Sequence, residues 1–254
     1  MEVSELAALY DEELRTSDYA DLDASANGLQ VGSGDWEVEH VAFAVDAAVE
    51  TIEDAISAGA DALVSHHGLS WGGIERVTGR DFDRVAPLIR EEVALYVAHL
   101  PLDGHTELGN AAGLADLLGL AGRERFGAMG PEYIGLAGTA DALSPQRVRE
   151  TLESELDHGA GGVRHLDFGP REIEDVAVVT GSGADWFDAA VERGADAFVT
   201  GEGKQKLYHQ AKEAGVHVYL AGHYATETFG VNALADLADE WGVETTVLDA
   251  PTGI

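Results

Sequence analysis

Apolar residues at Val3, Leu6, Ala7, Tyr10 and Leu14 recur at helical spacing and predict an amphipathic helix over 3–15. The stretch Asn27-Gly28-Leu29-Gln30-Val31-Gly32 reads as a turn running into a short strand. Beyond it the pattern becomes a near-continuous apolar run, His40-Val41-Ala42-Phe43-Ala44-Val45-Asp46, as expected of a buried strand. An alanine-rich helix over 47–58 follows, and Gly59 stops it. A second strand is predicted over 61–65, a helix over 81–91 with Pro87 as a kink, and a third strand over 93–99.

This order is echoed later in the chain. Val41 to His66 and Val176 to Gly201 align at a constant offset without a gap, each running strand, helix, strand. Gly59-Ala60-Asp61-Ala62-Leu63-Val64-Ser65 answers to Gly194-Ala195-Asp196-Ala197-Phe198-Val199-Thr200. Leu95-Tyr96-Val97-Ala98-His99 is echoed by Val218-Tyr219-Leu220-Ala221-Gly222-His223. The expected fold class is α/β, with two related α/β halves forming one two-lobed core whose loops converge on one crevice. Residues 126–170 do not fit the repeat. They contain a strand at 133–138, a helix from its N-cap Ser144 and Pro145 to about Leu156, and a short strand at 163–168. The expected organisation is a first half over 1–125, a small α+β insert over 126–170, and a second half over 171–254.

Composition narrows the chemistry. The chain has no cysteine, which excludes disulfides, thiolate nucleophiles and thiolate-ligated metals. Any metal must be held by His, Asp and Glu, a donor set suited to zinc, iron or manganese. Against 47 acidic residues stand 15 basic ones, with lysine only at 204, 206 and 212. Such a surface repels phosphate backbones, so nucleic acid is not an expected partner. The acid excess fits a protein working in very high internal salt, where screening makes self-repulsion tolerable. No apolar run is long enough for a membrane span and no signal pattern opens the chain, so the expected location is the cytoplasm.

Candidate chemistry gathers around His66-His67-Gly68, at the end of the second predicted strand. Adjacent residues on a strand point to opposite faces, so both histidines are expected just past its end, with Gly68 supplying the turn. Asp103 follows the third strand, and His223 and Glu227 lie four apart at an expected helix start, hence on one face. Taken singly, Asp103 is equally a turn residue or helix cap, Glu227 a solvated charge and His223 a core histidine. Together, three histidines and two carboxylates exceed one four-coordinate zinc and suit a pair of ions. Gly181-Ser182-Gly183 is a weak phosphate-nest candidate that reads rather as a strand-to-helix turn, and no Walker-type loop is present.

Several blocks taken in order resemble one family. They are Asn27-Gly28-Leu29-Gln30-Val31, Ser65-His66-His67-Gly68, His99-Leu100-Pro101-Leu102-Asp103 with Glu107-Leu108-Gly109-Asn110, Thr200-Gly201-Glu202, and Ala221 to Glu227. The family is the NGG-interacting-factor-three-like dinuclear-metal family, often labelled GTP cyclohydrolase 1 type 2 homologues. The resemblance implies two divalent metal ions per chain (zinc, iron or manganese) on His66, His67, Asp103, His223 and Glu227, with Glu227 as the bridge. It also implies a toroidal homohexamer with its sites facing an internal cavity. Gly68 departs from the proline common at that position. His99 is expected beside the ligands, orienting one of them or meeting substrate, and is the candidate catalytic residue. His105, Tyr224 and Glu202 are weaker candidates.

The expected function is a dinuclear metal-dependent hydrolase acting on a nucleotide or related small molecule, either GTP cyclohydrolase-like or a phosphoesterase. The alternative is a non-catalytic hexamer that stores or delivers metal or serves as an adaptor.

Overall fold

The computed structural model describes residues 1–254 and has eleven strands. The first four are β1 (Gly28–Val31), β2 (His40–Asp46), β3 (Ala62–His67) and β4 (Ala94–Val97). Then come β5 (Ala121–Met129), β6 (Glu132–Leu143), β7 (Arg164–Leu166), β8 (Ile173–Val178), β9 (Ala197–Thr200) and β10 (His217–Leu220), and the last is β11 (Glu244–Val247). The fold is α/β with two sheets, each in its own compact unit. Unit 1 comprises Met1–Leu102 and Gly230–Ala250, and unit 2 comprises Asp103–Phe229 and Pro251–Ile254. No helix is long and apolar enough to cross a membrane.

Unit 1 holds a five-stranded sheet in the order β1-β4-β3-β2-β11, parallel except for β1 at its edge. Successive side chains on a strand face opposite ways, and the sheet uses both faces. Val41, Phe43, Ala62, Val64, Ala94 and Tyr96 pack on one side with Val3, Leu6, Tyr10 and Leu14 of the helix Val3–Leu14. Ala42, Ala44, Leu63, Leu95 and Val97 pack on the other with Ile52, Ala55 and Leu88. Burial on both faces explains why β2, β3 and β4 read as apolar runs without alternation. The first helix begins at a capping box, the Glu2 amide donating to the Glu5 carboxylate at 3.0 Å, and ends at Arg15 in the left-handed region, φ 51°.

One contact in this core is directly testable. The fully buried Tyr10 hydroxyl donates to the Leu234 carbonyl at 2.9 Å. Tyr10→Phe keeps the ring packing and is expected to cost about 1 kcal/mol, measured by urea unfolding.

Unit 2 holds a six-stranded sheet in the order β5-β6-β8-β9-β10-β7. Its centre, β8-β9-β10, is parallel, and β6 and β7 flank it antiparallel. Val176, Val178, Ala197, Val199 and Tyr219 form its core with Ala111, Leu114, Val148 and Leu152 from the helices Asn110–Leu117 and Pro145–Glu155. Ser144 caps the second of these, its hydroxyl accepting from the Arg147 amide at 3.1 Å, as its sequence predicts.

The units divide the chain differently from the sequence pattern. Residues 126–170, expected as a separate insert, supply β6 and β7 to the same sheet as β8–β10. Residues 230–250, expected with the second half, belong to unit 1, where β11 pairs with β2. The two echoed segments become β2–helix–β3 and β8–helix–β9, each a parallel pair with its crossover.

Candidate functional site

In unit 1, β3 and β4 are parallel neighbours, so the residues after their carboxyl ends emerge on the same side of the sheet. His66 and His67 are the last two residues of β3, and His99 lies two beyond β4. The strand was expected to end before the histidines. Instead it runs through both, and His67 pairs with Asp46 of β2. The two rings still converge, with centroids 4.7 Å apart, and His99 lies 5.1 Å from His66 and 5.6 Å from His67. The three residues bring ring nitrogens within 4.8 Å of one another.

What aims them is an oxygen behind each ring. His66 Nδ1 donates to the Ala98 carbonyl, His67 Nδ1 to the Asp46 carboxylate and His99 Nδ1 to the Asp23 carboxylate, all at 2.9 Å. These oxygens can only accept, so each Nδ1 carries a proton and each Nε2 points away from its anchoring oxygen. A hydrogen-bonded oxygen behind the ring is the arrangement that accompanies histidine ligation of a metal. Burial by itself would raise the Asp23 carboxyl. The hydrogen bond and charge of His99, then Asn27 and the Ser25 amide, outweigh it and hold Asp23 below its ordinary value. Asn27 also accepts from the His99 amide at 2.7 Å, which gives the Asn27-Gly28 block its place in the cluster.

Gly68 is not needed for its backbone freedom, since its φ is not positive. It is needed for space: a Cβ there would lie 2.5 Å from Gln30 Nε2 and 2.6 Å from Val97 Cγ2. Gln30 in turn accepts from the Leu69 amide at 2.8 Å and fixes the loop that leaves the histidines.

Unit 2 builds its cluster at the carboxyl ends of β8, β9 and β10, three adjacent parallel strands. His223 opens the one-turn helix His223–Thr226, and Glu227 ends it. His223 Nε2 lies 3.2 Å from Glu227 Oε2, and its Nδ1 lies 3.0 Å from Glu202 Oε1. Burial disfavours a charged His223 ring, but the hydrogen bonds and charges of Glu227 and Glu202 outweigh it and push the pKa up to about 9. Ser182 donates to Glu202 and, with His223, holds that carboxyl below its ordinary value. Two carboxylates converging on one imidazole concentrate negative charge suited to a cation.

Gly181 completes this cradle. With φ 55°, it brings its backbone so close that a Cβ would lie 2.1 Å from Glu227 Oε1 and 3.0 Å from His223 Nε2. Gly181-Ser182-Gly183 is thus a strand-to-helix turn, followed by the short helix Gly183–Trp186. Asp103 is buried; its Oδ1 accepts from Asn110 Nδ2 at 2.9 Å and from the Thr180 hydroxyl at 3.4 Å. Of the weaker candidates, Glu202 is the oxygen behind His223. His105 Nδ1 accepts from the Leu108 amide at 2.9 Å and anchors a turn. Tyr224 is buried. Sequence reading missed Asp23 and Asp46, whose separations from their histidines carry no motif.

At the carboxyl end of its sheet, unit 1 thus gathers three imidazoles and unit 2 an imidazole with carboxylates, residues that could hold a metal ion. Residues 1–252 match the family described as Duf34/NIF3 (NGG1p interacting factor 3). The chain belongs to that family. It is 58% identical over 255 residues, spanning all of both chains, to a protein of the halophile Halobacterium salinarum named GTP cyclohydrolase 1 type 2 homolog. Among solved structures it is similar to TTHA1606 from Thermus thermophilus, with TM-score 0.90, 36% identity and full coverage of both chains. It is also similar to reduced HcgD from Methanocaldococcus jannaschii, with TM-score 0.85, 25% identity and 98% of both chains covered.

Proposed function

We propose that this protein is a dinuclear metal-dependent hydrolase acting on a nucleotide or related small molecule, in line with the GTP cyclohydrolase name its relatives carry. The ligands in this reading are His66, His67, Asp103, His223 and Glu227, with Glu227 bridging. The observation that carries it is the shared orientation of the imidazoles. His66, His67 and His223 each turn Nδ1 to an oxygen that fixes the ring, and His223 Nε2 faces the carboxylate of Glu227. The donor set fits the metal on this chain's own chemistry: imidazoles, carboxylates and no thiolate.

Two divalent ions, when bound, lower the pKa of a water towards neutrality and polarise a carbon or phosphorus electrophile. The remaining work falls to the protein. Asp46, the Ala98 carbonyl and Glu202 fix the rings, and Asn110 and Thr180 hold Asp103. His99, held by Asp23 beside His66 and His67, is placed to exchange a proton or a hydrogen bond with a substrate. The homohexamer belongs to the same reading.

The test is metal content together with turnover. The purified chain is expected to hold two ions, Asp103→Ala to lose them, and hydrolysis of GTP or a phosphodiester to fall with them. A chain without metal overturns the reading. A metal-loaded chain with no turnover of either substrate favours storage, delivery or an adaptor role.

A further inference from the structure

A second set of metal-ligating side chains lies elsewhere in unit 2, on the edge strand β7 and its neighbour β10. The two strands pair antiparallel, with His165 opposite Tyr219. Continuing that register by two residues sets Asp167 opposite His217. Residues two apart on a strand share a face, so His165, Asp167, His217 and Tyr219 all point the same way. The distances agree with this placement. His165 Nε2 is 3.2 Å from His217 Nδ1, and His217 Nδ1 is 3.4 Å from Asp167 Oδ1.

The orientation of His217 is fixed. Its Nε2 donates to the Pro170 carbonyl at 2.7 Å, and a carbonyl cannot donate, so Nδ1 carries the lone pair. The Gly169 amide, 3.3 Å from Nδ1, requires the same tautomer. This is again a ring with an oxygen behind it, and its Nδ1 lone pair, shared by the Gly169 amide and His165 Nε2, is the one an ion would take over. His165 is held flat against Tyr219, with ring centroids 4.3 Å apart and planes 8° from parallel.

We infer that His165, Asp167 and His217 form a separate site for a divalent transition-metal ion of the zinc type. The three ligand atoms all lie within 4.8 Å of one another. Ligands about 2.0–2.1 Å from a tetrahedral zinc are separated by about 3.3–3.4 Å, close to the two distances observed. Three protein ligands leave a fourth position open. His165 and Asp167 line a groove of about 680 Å³ together with Ser144, Gln146, Arg149 and Arg171, from which a water or a small anion can complete the shell. Because β7 is only three residues long, a bound ion also pins it to the sheet.

The test is zinc stoichiometry combined with hydrogen exchange on the full-length chain. Zinc-loaded wild type is expected to hold one more equivalent than His165→Ala and to exchange the amides of Arg164–Leu166 more slowly than the zinc-free protein. Asp167→Asn alters an exposed side chain, leaves the fold intact, and is expected to weaken that equivalent by at least about tenfold. Counting in a Glu227→Gln background separates this ion from the dinuclear centre, because the equivalent removed by His165→Ala remains there. Equal zinc counts in wild type, His165→Ala and Asp167→Asn, with unchanged exchange at Arg164–Leu166, would overturn the site.

Discussion

Asp23→Ala is expected to destabilise the metal-free protein by about 3–5 kcal/mol, because it leaves several buried hydrogen-bond donors without their shared acceptor. The Asp23 side chain is 2% exposed and accepts four hydrogen bonds. Its donors are the Ser25 amide and Asn27 Nδ2 at 2.8 Å, His99 Nδ1 at 2.9 Å and the Leu100 amide at 3.0 Å. Alanine leaves all of them without that acceptor, and each buried unmade bond is costly. Asp23→Asn keeps the shape, gives up the charge and should cost less than alanine. The pH dependence follows from the lowered pKa. Stability from the ionised carboxylate is fully present above its unfolded value near 3.8 and is lost as pH falls through the lower folded value. Urea unfolding between pH 7 and pH 3 in high salt checks both parts. A loss below about 1 kcal/mol for alanine would show that the four contacts do not act as a unit.

Asp23 also shows where sequence reading stops. The pairing of His99 with Asp23 spans 76 residues and that of His67 with Asp46 spans 21. No local pattern marks either carboxylate in a chain this acidic. The histidines and the His223–Glu227 pair were legible because their spacing is short and falls at strand ends that apolar runs already mark. The same physics explains the elements that went unseen. Ala121–Met129 forms β5 with Arg123, Glu124 and Arg125 in its middle, so an edge strand looks like a polar loop. Glu244-Thr245-Thr246-Val247, largely unburied, becomes β11 only through its pairing with β2. Periodicity reports burial, and edge strands of a sheet have little of it to report. The gap-free echo predicted the parallel pairs β2–β3 and β8–β9 correctly, because a strand–helix–strand unit is encoded locally. The assignment of residues 126–170 to β8's sheet, and of residues 230–250 to unit 1, depends on pairings between distant segments.

Gly181→Ala is expected to disable the unit 2 cluster while the fold survives. The substitution carries two costs, and they separate. A left-handed backbone at φ 55° disfavours alanine by about 1–2 kcal/mol wherever it occurs. In addition, the new Cβ would lie 2.1 Å from Glu227 Oε1 and 3.0 Å from His223 Nε2, so the carboxylate and the imidazole must both give way. The carboxylate is the end of a side chain and can swing aside, which limits the stability loss to about 1–3 kcal/mol. It cannot swing aside and keep its position 3.2 Å from His223. Metal affinity is therefore expected to drop by about 10–100-fold, the usual cost of misplacing a group that sets ligand geometry. Gly194→Ala is the matched control. It has φ 88° at the end of the helix Phe187–Arg193, and a Cβ there meets no atom within 4 Å. It should show the backbone cost alone and bind metal as wild type does. Thermal melts and metal titrations of the two variants decide the matter: equal metal affinity in both would mean that Gly181 does not set the position of Glu227.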